Sequence, residues 1–122
     1  MEIIGVLGAG SMGSGIAQIA ASNGCKVFLF DTNPKALISA IERLKKILNR
    51  LVEKQKINED KMQAILALII TTDNLNEFKN ANLVIEAIIE DLEIKKKVFS
   101  ELDSLCSPKT ILASNTSSLS VT

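Results

Sequence analysis

Histidine, tyrosine and tryptophan are absent from this 122-residue chain. Catalysis that needs an imidazole cannot run on these residues. Without a phenol, the Tyr–Lys chemistry of short-chain dehydrogenases is excluded as well. Cysteine is scarce: Cys25 and Cys106 stand far apart, which suits neither a disulfide framework nor a zinc site. Two reduced, partly buried thiols are expected, and no metal. No charge predominates, because 14 Lys and Arg balance 14 Asp and Glu. A neutral chain has no field to draw it onto phosphate backbones or anionic lipid, so neither nucleic acid nor a membrane is an expected partner.

The uncharged stretch Ile3–Cys25 is long enough to suggest a membrane span. Its glycines and its polar residues Ser11, Ser14, Gln18, Ser22 and Asn23 argue against that. It opens on Glu2 instead of the basic region of a signal peptide. A soluble, cytoplasmic protein is expected. Apolar residues make up 47% and charged residues 23%, an ordinary globular balance that rules out intrinsic disorder. The length is that of one domain.

Strands and helices alternate along the chain. Ile3–Leu7 and Lys26–Phe30 read as buried strands, and Ser11–Asn23 as a small-residue helix with Ile16, Ile19 and Ala20 on one face. Asn33-Pro34 opens a long helix as N-cap and first helical residue. Leu37, Ile41, Leu44, Leu48 and Leu51 form its apolar stripe, and Glu42, Arg43, Lys45, Lys46, Arg50 and Glu53 its opposite face. Asn58–Leu66 reads as a shorter helix folding back, then Leu68–Thr72, Leu83–Ile89 and Thr110–Ala113 as strands, with a helix over Asp91–Leu105. Leu92, Val98, Phe99, Leu102 and Leu105 are expected to face inward from that helix. This order predicts an α/β fold: a doubly wound parallel sheet with a helix-loop-helix excursion after the second strand.

All six glycines lie in the first 24 residues. Gly8-Ala9-Gly10-Ser11-Met12-Gly13 is a G-x-G-x-x-G directly after a strand and opening a helix, the Rossmann-type fingerprint. Gly8 permits the tight turn, Gly10 lets backbone approach a pyrophosphate, and Gly13 lets helix and strand pack closely. Asp31 ends the second strand, where an acid accepts hydrogen bonds from the adenosine ribose. A carboxylate there repels a 2′-phosphate, and Thr32 and Asn33 follow with no Arg, so NAD is predicted over NADP. A glycine-rich structural turn beside a surface Asp is the alternative reading.

The segments GAGSMGSGIAQ, VIEAIIEDLEIKKKVFSELD and ILASNTSSLS, with Asp31 between the first two, resemble the 3-hydroxyacyl-CoA dehydrogenase family. The likeness covers the chain from Glu2 and is similar to the bacterial stand-alone 3-hydroxybutyryl-CoA dehydrogenases. It implies an NAD-dependent oxidoreductase of fatty acid or butyrate metabolism that interconverts L-3-hydroxyacyl-CoA and 3-oxoacyl-CoA. By the same resemblance, Glu90 and Lys95 contact the nicotinamide half of NAD. Ser117 reaches both nicotinamide and the substrate's 3-oxygen, a catalytic and substrate-binding position. Lys54 matches a contact to the CoA tail.

Local pattern alone reads Glu90 as favouring a helix N-terminus, Lys95 and Lys54 as solvated, and Ser117 as part of a Ser/Thr-rich turn. The family's catalytic His and Glu have no counterpart here. The resemblance places them beyond Thr122, together with the helical domain that dimerises. The chain is therefore expected to be an NAD-binding domain over residues 1–122, truncated at its C-terminus and inactive alone, of an enzyme that is a homo-oligomer when intact. A non-catalytic NAD-sensing module and another β-hydroxyacid dehydrogenase remain as alternatives at this point.

Overall fold

Residues 2–87, 92–105 and 111–114 are described by the structure, a computed structural model. The elements run β1 (Ile3–Leu7), α1 (Ser11–Ser22), β2 (Lys26–Phe30), α2 (Pro34–Glu53), α3 (Glu59–Leu68) and β3 (Ile69–Thr72). A 3₁₀ helix (Leu75–Asn80), β4 (Leu83–Glu86), α4 (Leu92–Leu105) and β5 (Ile111–Ser114) follow. The sheet has five strands in the order β3-β2-β1-β4-β5, and every pairing is parallel. The expected architecture is the one found, including the excursion α2–α3.

Alternation along the central strands divides the core in two. Ile4, Val6, Val27 and Leu29 face α1, α2 and α3, where they pack with Ala17, Leu44, Leu48 and Ile65. Leu7, Phe28 and Phe30 face the other way, toward Phe78, Val84 and Leu102. Both faces of β1 and β2 are thus covered, which is why these strands read as near-continuous apolar runs. The long stripe of α2 is confirmed: Leu44 and Leu48 are fully buried, and Leu37, Ile41 and Leu51 pack against the same cluster.

Two expectations are corrected, and one element is new. On α1 the buried face is Gly13, Ser14, Ala17, Ala20 and Ala21, while Ile19 is 66% exposed. The helix lies close on the sheet, so its smallest residues face inward and Ile19 is turned outward. The fourth strand ends at Glu86 instead of Ile89, because its partner β1 ends opposite, at Leu7. One more ladder bond, Ala87 N–H to the Leu7 carbonyl (2.9 Å), closes the pairing before Gly8 turns away. Residues 88–91 lie outside the described residues.

The new element is the 3₁₀ helix Leu75–Asn80, for which the apolar pattern gives no signal. Its Phe78 is fully buried and meets Phe30 edge-on, with ring centroids 6.1 Å apart. The Phe78 ring occupies the space a side chain at Gly5 would need: a Cβ there would lie 2.7 Å from two ring atoms. Gly5 is therefore a packing residue of the sheet, apart from the fingerprint that follows it.

The α2–α3 corner is held by Gln55 N–H to Val52 O (2.9 Å) and Lys56 N–H to Leu51 O (2.9 Å). Those two bonds form a Schellman cap, whose left-handed residue is usually glycine. Here it is Gln55, at φ 59°. A left-handed conformation costs a side-chain-bearing residue about 1–2 kcal/mol, and glycine's extra freedom in the unfolded chain returns part of that. Gln55→Gly is expected to raise stability by roughly 0.5–1 kcal/mol, seen as a melting midpoint a few degrees higher. A lowered midpoint would show that Gln55 makes side-chain interactions worth more than the strain.

Candidate functional site

The strand ends line up along the carboxyl edge of the sheet. Leu7 stands level with Phe30 and Glu86, Phe30 with Thr72, and Glu86 with Ser114. Doubly wound sheets bind ligands outside this edge. Here the chain leaves β1 through Gly8, whose φ of 106° favours a residue without a Cβ. Gly8 N–H continues the ladder to the Phe30 carbonyl (2.8 Å).

Next, Ala9 N–H donates to Asp31 Oδ2 (2.9 Å), and the other carboxylate oxygen accepts from Asn33 N–H (2.9 Å). Asp31 N–H itself donates to the Thr72 carbonyl (3.2 Å). One carboxylate thus clamps the β1–α1 turn to the β2–α2 turn. Each of its oxygens has a second lone pair, so it can still accept a hydroxyl from a ligand.

Gly10 is the N-cap of α1, with no side-chain hydrogen bond capping the helix and no acid in the first turn. The first turn of α1 itself carries no acid, and the Asp31 carboxylate beside it is engaged with Ala9 N–H, an arrangement that leaves room for an anion at the helix end. Ser11 is exposed and Met12 is 45% exposed at this end. Gly13 is buried against the turn, where an added Cβ would collide with the Gly8 carbonyl oxygen and lie 2.9 Å from the Gly8 carbonyl carbon. The cradle exists only because position 13 has no side chain. A groove of about 640 Å³ opens at the end of β2, lined by Phe30, Thr32, Asp73–Asn76 and, from α4, Lys97, Val98 and Glu101.

The structure brings Gly8 to Gly13 and Asp31 together. Ala9 contributes through its bond to Asp31, its side chain being 1% exposed. Lys54 is exposed at the C-cap of α2. Since α2 begins at Pro34 and has 20 residues, about 30 Å of helix separates Lys54 from the carboxyl edge. Lys95 lies within α4. Glu90, Ser117 and Cys106 lie outside the described residues. Cys25 is half-buried and free of any disulfide.

Sequence reasoning missed Glu86, which is fully buried and partnered at the end of β4. Its signal was present: a lone acid inside the apolar run LVIEAII, which no solvated face explains. Among the described residues no group of acids, cysteines or histidines is placed to hold a metal ion, and no helix is long and apolar enough to cross a membrane.

The model of the 3-hydroxyacyl-CoA dehydrogenase NAD-binding domain matches residues 3–122. A probable 3-hydroxybutyryl-CoA dehydrogenase of Bacillus subtilis (strain 168) is 48% identical, over 100% of this chain and 43% of its own length. Among solved structures, a 3-hydroxybutyryl-CoA dehydrogenase from Escherichia coli K12 superposes with a TM-score of 0.91 at 39% identity, covering 95% of this chain and 25% of that one. The (S)-3-hydroxybutyryl-CoA dehydrogenase of Ralstonia eutropha gives 0.89 at 33% identity, over 96% of this chain and 41% of that one. The chain spans less than half the length of each of these relatives.

Proposed function

Because this chain belongs to the 3-hydroxyacyl-CoA dehydrogenase family, within its NAD-binding domain, we propose that it forms the dinucleotide half of an enzyme interconverting L-3-hydroxyacyl-CoA and 3-oxoacyl-CoA. 3-Hydroxybutyryl-CoA is the favoured substrate, in fatty acid or butyrate metabolism. The observation that carries the reading is the Asp31 clamp on a turn that leaves the positive end of α1 open.

Each part of the site then has a task. The first turn of α1 holds the pyrophosphate, and the close approach that Gly13 allows keeps that turn against β1. Asp31 accepts the adenosine ribose hydroxyl and disfavours a 2′-phosphate, so NADH binds better than NADPH. The groove between Thr32 and Val98 takes the adenine ring. Glu90 and Lys95, which follow β4 in the sequence, serve the nicotinamide half, and Ser117, which follows β5, steadies the substrate's 3-oxygen. When bound, NAD supplies the ring that exchanges hydride with C3 of the acyl group.

Lys54 sits apart from this cradle, next in sequence to a groove that Gln55, Lys56, Glu59 and Lys61 help to line. Cations there suit the phosphates of coenzyme A, so the long substrate reaches from the corner to the sheet edge. A developing carbonyl must shed its proton as hydride leaves, which calls for a base. The family resemblance assigns that base to a His, and no histidine stands among the 122 residues, so on this reading the base comes from outside them. On this reading the whole protein is a cytoplasmic homo-oligomer.

The test is made on the 122-residue chain. Titration is expected to show saturable NADH binding, while NADH mixed with acetoacetyl-CoA stays unoxidised. Steady turnover would overturn the division of labour. Failure of the folded chain to bind NADH would overturn the cofactor assignment.

A further inference from the structure

Arg43 belongs to the polar face of α2, yet it is half-buried and turned back toward α1. Its Nη1 donates to Ser14 Oγ at 2.9 Å. Ser14 is 1% exposed, and its Oγ in turn donates to the Gly10 carbonyl at 2.8 Å. The Ser14 backbone N–H reaches the same carbonyl at 2.9 Å. The peptide of the second fingerprint glycine is therefore held twice, and one of the two bonds is oriented by a guanidinium from the excursion.

Its placement also has an electrostatic side. A cation beside the first turn of a helix opposes the helix dipole. No acid in that turn offsets it. The arrangement disfavours the empty helix end and favours one facing an anion.

From this geometry we infer that Arg43 is a positioning residue for the dinucleotide cradle, acting through Ser14 on the Gly10 peptide. This rests on the cofactor reading given above and extends it. Arg43 fixes the plane of that peptide, and with it the direction of the N–H groups that follow at the start of α1. It also adds positive potential where a pyrophosphate would lie. The helix-loop-helix excursion and the phosphate cradle are thereby one mechanical unit.

Arg43→Met, Ser14→Ala and the double variant are compared with the unaltered chain by NADH titration. Alanine is a good helix former, and methionine retains the stem that packs along α2, so all three should fold. Each single change is expected to weaken NADH about tenfold, roughly the effect of one charge-assisted hydrogen bond. The double variant should be no weaker than the weaker single, since both cut one relay. Arg43→Lys, which keeps a cation, should recover part of the loss without restoring a planar donor.

A second readout needs no ligand. The Ser14 amide should exchange with solvent faster in Arg43→Met, while amides of β1 and β2 do not change. Unchanged exchange at Ser14 overturns the inference, as do additive losses in the double variant or wild-type NADH affinity in Arg43→Met. If the unaltered chain itself binds no NADH, the cofactor reading fails, and Ser14 exchange still decides whether Arg43 holds the Gly10 peptide.

Discussion

Gly13→Ala is expected to abolish measurable NADH binding and to lower stability by roughly 1–3 kcal/mol. On intrinsic propensity the change ought to help, since alanine is favoured over glycine within a helix by about 0.5–1 kcal/mol. The clash reverses that sign. The new methyl group would occupy the position of the Gly8 carbonyl, and a carbonyl in a turn cannot swing aside as the end of a flexible side chain can. Either α1 lifts from the sheet or the Gly8–Gly10 turn rebuilds, and both remove the cradle.

Gly15 provides the internal control. A Cβ there meets nothing within 4 Å, so Gly15→Ala should keep NADH affinity and gain stability. Thermal melts and NADH titrations on the pair decide the matter. A Gly13→Ala chain that binds NADH like the parent would mean that the turn is not the phosphate site.

Asp31→Ala is the second change with a large expected effect. NADH affinity should fall about 10- to 100-fold, the range for losing one or two hydrogen bonds to a charged acceptor. NADPH affinity should change far less, so the preference between the two dinucleotides collapses. Two causes act together. The carboxylate no longer receives Ala9 N–H and Asn33 N–H, which loosens the turn for either ligand. It also no longer accepts the ribose hydroxyl or repels a 2′-phosphate, and these distinguish the ligands. Asp31→Asn separates the causes, because it keeps the shape and one acceptor oxygen but removes the charge. A tenfold loss shared equally by NADH and NADPH in Asp31→Ala would reduce Asp31 to an anchor of the turn.

How much of this was legible in advance follows from the range over which each signal acts. The bounds of β1 and β2, the Asn33-Pro34 start of α2 and the Asn23-Gly24 end of α1 are local matters of apolar runs, caps and backbone freedom. They read correctly from neighbouring residues alone. So did the fingerprint, because Gly8, Gly10 and Gly13 answer to a single turn and the helix it opens. On α1, Ile16 and Ala20 do pack toward the core, but Ile19 looks like a core residue only until the closeness of the sheet is known. The 3₁₀ helix was missed because its reason for forming is Phe78, and Phe78 is explained by the space left at Gly5, distant in sequence but adjacent in the fold.

The sequence by itself determined the alternating architecture, the glycine turn and the acid that follows the second strand, all set by short-range periodicity and backbone chemistry. Only the tertiary structure decided that Asp31 clamps Ala9, that Arg43 reaches Ser14 across 29 positions, and that Glu86 is buried at the sheet edge. Those facts depend on which strands lie side by side. In a parallel sheet each neighbour arrives only after a long crossover, so no local pattern encodes it.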